Sequence, residues 1–145
     1  KHINMTLDEK QQEIIEEFEM FDDWMDKYNY LIELSKDLPE MPAEHKTEQN
    51  LIDGCQSKVW LHAEMNNGAI EFSADSDAII TKGIIALLIE VLSGRTPAEI
   101  KNADLYFIDK IGLKENLSPT RSNGLVAMIN KIKAYAMAYD AKQGQ

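Results

Sequence analysis

Apolar positions recur at helical spacing through the first third of the chain. Leu7, Ile14, Ile15 and Phe18 fall on one face of a predicted helix. The stretch Thr6-Leu7-Asp8-Glu9 fits a capping box, in which Thr6 bonds the first-turn amides and Glu9 reaches back. Asp22 and Asp23 interrupt the stripe and can cap a second helix. Its apolar members are Trp24, Tyr28, Leu31 and Ile32, continued by Ser35 and Leu38, and Pro39 and Pro42 stop it. The polar run 40–49 reads as a loop.

The period then changes. Val59, Leu61, Ala63 and Met65 alternate with Lys58, Trp60, His62 and Glu64, the pattern of a half-buried strand. Asn66-Asn67-Gly68 is a turn signal, and Ile70, Phe72 and Ala74 alternate through a second strand, so the two form an antiparallel hairpin. A third strand is expected at Asn50 to Asp53, before Gly54. Asp75-Ser76-Asp77 offers caps for a helix reaching about Leu92. That helix is apolar on almost every face from Ile84 to Ile89, which predicts a central, buried element ended by Gly94. Thr96-Pro97-Ala98-Glu99 is a second capping box with Pro at the first helical position. A short helix to about Asn102, a helical segment over Leu105–Leu113 and a last helix capped by Ser118 complete the reading. Leu125, Met128, Ile129, Ile132, Tyr135, Ala136 and Tyr139 keep one face of that last helix apolar. The sum is an α+β fold, a small antiparallel sheet covered on one face by helices.

Composition narrows the possible functions. The 145 residues and 16.5 kDa suit a single domain over 1–145, with residues 1–4 and 140–145 peripheral. Lys plus Arg is 15 and Asp plus Glu is 25, so the net charge is 15 − 25 = −10. Unaided nucleic-acid binding needs a basic face and is disfavoured. Lys1 to Asn4 has no apolar h-region, which predicts no secretory signal. Lys1 is read as a processed or cloned beginning, with Met5 as a natural start. The most apolar stretch, Ala78 to Leu92, is too short to span a bilayer and carries Lys82 and Glu90. The expectation is a soluble, cytoplasmic protein with no membrane partner. One cysteine excludes an internal disulfide, a CxxC pair and a multi-cysteine metal or cluster site within one chain.

That cysteine, Cys55, lies in Gly54-Cys55-Gln56-Ser57 between two extended segments. The bland reading of a lone cysteine is a small buried hydrophobe. Cys55 is off the apolar stripes, however, and follows a glycine that allows positive φ, in a turn, where function concentrates. Lys58 and His62 share the outward face of the first strand and read as solvated. No second histidine or carboxylate has metal-ligand spacing with His62 in the sequence. Trp60 points away from Val59 and Leu61 and is expected to pack under a helix on the second face. Arg121 falls in the first turn of the last helix, where a cation opposes the macrodipole. It reads as a docking contact, an anchor for the Cys55 turn, a surface arginine or a partner of an aspartate. Asp75 and Asp77 read as helix caps, or as groups facing a partner. Two rival functions remain open: a cysteine nucleophile with His62 or His45 as base, and a non-catalytic docking adaptor.

Gly54-Cys55-Gln56-Ser57 followed by Val59-Trp60 resembles the signature of the SufE family of sulfur-acceptor proteins. Tyr28 to Leu34 with Leu38-Pro39, Asp75-Ser76-Asp77 with Lys82-Gly83, Thr96-Pro97, and the run Ser118 to Leu125 extend the likeness from about residue 10 to 139. The resemblance implies the fold shared with the NifU/IscU scaffolds and a carrier that takes persulfide sulfur onto Cys55. Gly54, Gln56 and Ser57 would support that thiol, with Arg121, Asp75 and Asp77 as docking candidates. The implied partners are a pyridoxal-phosphate cysteine desulfurase of the SufS/CsdA type and an iron–sulfur scaffold complex of the SufBCD type. Pyridoxal phosphate would belong to the desulfurase, so no cofactor or metal is expected on this chain, and no independent turnover.

Overall fold

In the computed structural model, which describes residues 5–143, the first helix starts where its capping box places it. The Thr6 hydroxyl accepts the Glu9 N–H at 3.0 Å, and the Glu9 carboxylate accepts the Thr6 N–H at 2.9 Å. Helix α1 runs Leu7–Glu19 and α2 runs Trp24–Asp37, the latter capped by Asp23. The polar loop after Pro39 holds two single 3₁₀ turns, Ala43–His45 and Glu48–Asn50. Strands β1 (Val59–Asn66) and β2 (Ala69–Ser76) pair antiparallel, Val59 opposite Ser76 and Asn66 opposite Ala69. Asn67 and Gly68 both take positive φ, the two-residue turn whose twist matches the flanking strands. Helices α3 (Ile79–Leu92), α4 (Pro97–Asn102), α5 (Phe107–Lys110) and α6 (Pro119–Gln143) follow.

The core is the inner face of the hairpin against α3 and α6. Val59, Leu61, Ile70 and Ala74 are buried there with Ile85, Leu87 and Leu88 from α3 and Leu125, Met128 and Ile132 from α6. Helix α2 lies so close to α3 that a Cβ on Gly83 would stand 2.3 Å from the Leu31 carbonyl oxygen. That explains a glycine inside the most apolar helix, where propensity alone disfavours it. Two further ties close the chain on itself. The buried Gln11 side chain donates to Asp104 O at 3.1 Å and accepts the Phe107 N–H at 3.2 Å. Arg95 donates to Met5 O at 2.6 Å.

Several expectations are corrected. The segment Asn50 to Asp53 is not a third strand: Leu51 makes one isolated bridge to Trp60 and the chain then turns. Asp75-Ser76-Asp77 does not cap α3. Its N-cap is Ala78, with no side-chain cap bond, because Ser76 still belongs to β2 and Asp77 is used by the hairpin. The stretch Leu105–Leu113 holds only the short α5 and turns, since Gly112 takes positive φ. Trp60 is not under a helix; the outer face of β1 is covered by the 43–50 loop, with Lys46 Nζ 5.1 Å from the Trp60 ring centroid. Residues 140–143 form the exposed end of α6, where Asp140 pairs with Lys101 at 2.6 Å. Residues 1–4 and 144–145 lie outside the described residues.

Candidate functional site

The turn carrying Cys55 is held at both ends. Upstream, the Ile52 N–H donates to Val59 O at 2.8 Å. Downstream, the Asp77 carboxylate accepts the Lys58 N–H at 3.1 Å, while Lys58 O accepts the Asp77 N–H at 3.2 Å and the Ser76 hydroxyl at 2.8 Å. The aspartate–serine–aspartate run therefore clamps the open end of the hairpin beside Cys55. Between the clamps, Gly54 takes φ +95°, and a Cβ there would approach the Ala127 Cβ to 3.2 Å. Backbone conformation and space both call for glycine, because the turn leans directly on α6.

Cys55 is half-buried, its sulfur 3.7 Å from Gly124 O on α6. Gly124 again matters by what it lacks: its Cβ would lie 3.5 Å from Cys55 Sγ. Burial pushes the Cys55 thiol above its ordinary pKa. Burial thus lowers the thiolate fraction at rest, and positive charge or solvent brought to the sulfur would raise it.

The thiol opens on a cleft of about 400 Å³ between the turn, the start of α3 and the start of α6. Gln56 and Ser57 line it from the turn, Thr81 and Ile84 from α3, Arg121 and Met128 from α6. Ser118 starts α6 as expected, its hydroxyl accepting the Arg121 N–H at 3.3 Å. The Arg121 side chain is exposed, and among the described residues no carboxylate lies within ion-pair distance of it. The cleft thus combines one thiol, one uncommitted cation and hydroxyls. A larger cavity of about 570 Å³, bounded by Leu34, Phe72, Ile89 and Arg95, contains no cysteine or histidine.

The other candidates are distributed unevenly. Asp75 is engaged internally, 2.7 Å from Lys46 Nζ and 3.2 Å from Lys82 Nζ. Burial pushes its carboxyl up, but Lys46, the Ser76 N–H and Lys82 together hold it below the usual range. Asp77 is exposed and holds the hairpin end. His62 does not line the Cys55 cleft. It stacks on His45, ring centroids 3.8 Å apart, and its Nε2 lies 3.1 Å from Glu64 Oε2. Spacing along the sequence did not pair His62 with another histidine; the loop folds His45 back onto β1 and brings the two together. Thr81 and Gly124 were not among the site candidates, and Met128 was read only as part of an apolar face; a glycine inside the last helix was the available signal for Gly124.

Known proteins share this arrangement of elements and residues. A family model described as "SufE: Fe-S metabolism associated domain" matches residues 12–136. The chain belongs to the SufE family. An uncharacterised SufE-like protein of Rhizobium meliloti (strain 1021) is 43% identical over 129 residues, covering 86% of this chain and 92% of that protein. A second, from Rhizobium etli, is 43% identical over 129 residues, covering 86% and 87%. The solution structure of a hypothetical protein from Thermus thermophilus superposes with a TM-score of 0.74 at 24% identity, over 89% of this chain and 94% of that one. It confirms the α+β fold. No helix among the described residues is long and apolar enough to cross a membrane.

Proposed function

We propose that this SufE-family chain is a sulfur carrier that accepts a persulfide sulfur on Cys55 from a pyridoxal-phosphate cysteine desulfurase and hands it to an iron–sulfur assembly scaffold. The observation that carries the reading is the placement of the chain's only cysteine. It sits on a glycine turn, at the wall of an open cleft that Arg121 also lines.

The chemistry needs one thiol and no base set. The Cys55 thiolate attacks the outer sulfur of the donor's cysteine persulfide. A new S–S bond forms on Cys55, the donor's S–S bond breaks, and the donor cysteine leaves as thiolate. The Cys55 proton is released on ionisation, and the outer sulfur carries its own hydrogen across. Sulfur's oxidation state is conserved, so no external oxidant or reductant enters. Having no second cysteine nearby protects the cargo, since such a thiol would form a disulfide and expel the sulfur. A lone thiol that must remain reducible suits a reducing compartment, the cytoplasm.

The resting site is set against premature reaction, because burial disfavours the thiolate. On this reading docking lifts the Gly54–Ser57 turn off α6 or brings positive charge to it. Arg121 and Asp77, both exposed beside the turn, are the proposed docking residues; Asp75 acts through its two lysine pairs to hold the loop before the turn. Mass spectrometry after incubation with desulfurase, pyridoxal phosphate and free cysteine tests the carrier role. One or more added sulfur atoms on Cys55 supports it, and an unmodified chain that still stimulates the desulfurase points instead to an adaptor. Cys55→Ser separates the two again: an adaptor keeps stimulating, a carrier does not. The thiol's alkylation rate with and without desulfurase tests the movable turn, and equal rates argue against it.

A further inference from the structure

The outer face of the hairpin holds a donor cluster that sulfur transfer does not use. His62 and Glu64 are two apart on β1 and so share a face. The Ala43–His45 turn lays His45 over them, with one ligand atom from each of the three residues falling within 4.8 Å of the others. We propose that His45, His62 and Glu64 form a binding site for a divalent transition metal of the Zn²⁺ class.

The donor types select the metal. Two imidazoles and one carboxylate suit Zn²⁺, Co²⁺, Ni²⁺ or Cu²⁺ and are poor ligands for Mg²⁺ or Ca²⁺, which prefer all-oxygen shells. One pair of donors already has the spacing that a metal requires. In a tetrahedral sphere with bonds near 2.0–2.1 Å, neighbouring donors stand about 3.3 Å apart. The His62 Nε2–Glu64 Oε2 pair is already at 3.1 Å, and a cation would take the place of the proton between them. The two rings are stacked within 16° of parallel, so their in-plane lone pairs run side by side, and the His45 ring must turn out of the stack for both imidazoles to face one ion. Water would complete a four-coordinate sphere.

The backbone around the cluster is fixed before any metal arrives. Asn50 Nδ2 donates to His45 O at 2.7 Å. The next residue, Lys46, is held by Asp75 and by the Trp60 ring. A bound cation would therefore staple the loop that runs from α2 into the Cys55 turn onto β1, at a face remote in chemistry from the thiol. The consequence is a loop stabilised by metal without any change in the sulfur-accepting group.

Calorimetric titration of the full chain with Zn²⁺, and Co²⁺ absorption spectra, test the site. One equivalent is expected to bind and to raise Tm. His45→Gln and His62→Gln should each weaken binding tenfold or more, and Glu64→Gln should weaken it as well. Cys55→Ser and His2→Gln should leave it intact; these controls address the lone thiol and the chain's remaining histidine. Circular dichroism checks that each variant is folded, and perturbation of the His45 and His62 ring resonances by Zn²⁺ in the unmutated chain gives a readout free of mutation. No binding, binding indifferent to both His45 and His62, or binding lost in Cys55→Ser or His2→Gln overturns the proposal. None of these results bears on sulfur loading at Cys55, so the two readings fail separately.

Discussion

At the residue scale, Cys55 is governed by what surrounds its sulfur. Burial raises its pKa, so the thiolate fraction at neutral pH is below that of a free cysteine. The alkylation rate of the isolated protein should be slow at pH 7 and climb with pH, its midpoint above that of a model thiol. A midpoint at or below the model value would mean the sulfur is already activated at rest. Gly124 and Gly54 are expected to behave oppositely on substitution. Gly124→Ala gains about 1 kcal/mol of helix propensity and places a methyl in contact with Sγ. It should keep or raise Tm while slowing both alkylation and persulfide loading. Gly54→Ala forces a side chain into a positive-φ position against Ala127 and should lose about 1–3 kcal/mol in denaturant melts. Cys55 itself was legible as a candidate from residue type, since a lone thiol in a glycine turn off the apolar stripes is visible in one dimension. Its depth was not, because that depends on the approach of α6.

At the element scale, local chemistry decided most boundaries. Both capping boxes form, with Thr6 and Thr96 each bonded reciprocally to the glutamate three residues on. The hairpin register follows from a turn that only Asn-Gly chemistry makes easily. The missing side-chain cap on α3 has a definite cause. Asp75, Ser76 and Asp77 carry good capping side chains, but Lys58 across the hairpin claims two of them first. Propensity ranks what a residue can do locally and is silent on a competitor 19 residues away. The α2–α3 contact makes the sharpest prediction here. Gly83→Ala would help an isolated helix, yet its methyl meets the Leu31 carbonyl, a backbone atom that cannot swing aside. The variant should be destabilised by about 1–3 kcal/mol through overpacking, measured by urea unfolding. A stabilised variant would show that the two helices can part without loss.

For the whole molecule, charge buried between elements sets the pH limits of stability. Lys10 on α1 is 3% exposed and pairs with Glu13 and with Glu90 of α3 at 2.8 Å. Burial lowers its pKa, but the two glutamates outweigh that and leave it raised. Tyr30 on α2 is likewise raised, by burial first and then by its hydrogen bond to Glu17. Both groups bind their proton more tightly folded than unfolded. Their stabilisation is complete below the unfolded pKa values, near 10 for both, and is lost as pH rises through the higher folded values. Thermal melts should hold Tm up to about pH 10 and fall beyond it, with a shallower fall in Tyr30→Phe. Asp75 contributes at the other limit. Its lowered pKa means stabilisation that is present above the ordinary carboxylate range and fades as pH drops through the folded value.

By itself the chain's order of residues determined the six helices' approximate places, the hairpin, the α+β class and the single thiol, because periodicity, caps and turn residues act over a few neighbours. Tertiary structure alone decided that Cys55 rests against Gly124, that Arg121 shares its cleft, that Gln11 and Lys10 are buried between elements, and that His45 lies on His62. Those pairs are separated by 17 to 96 residues, and their meeting depends on how helices from both halves of the chain and a loop pack around one hairpin. Packing at a distance is a property of the assembled core, where each contact is permitted only by all the others.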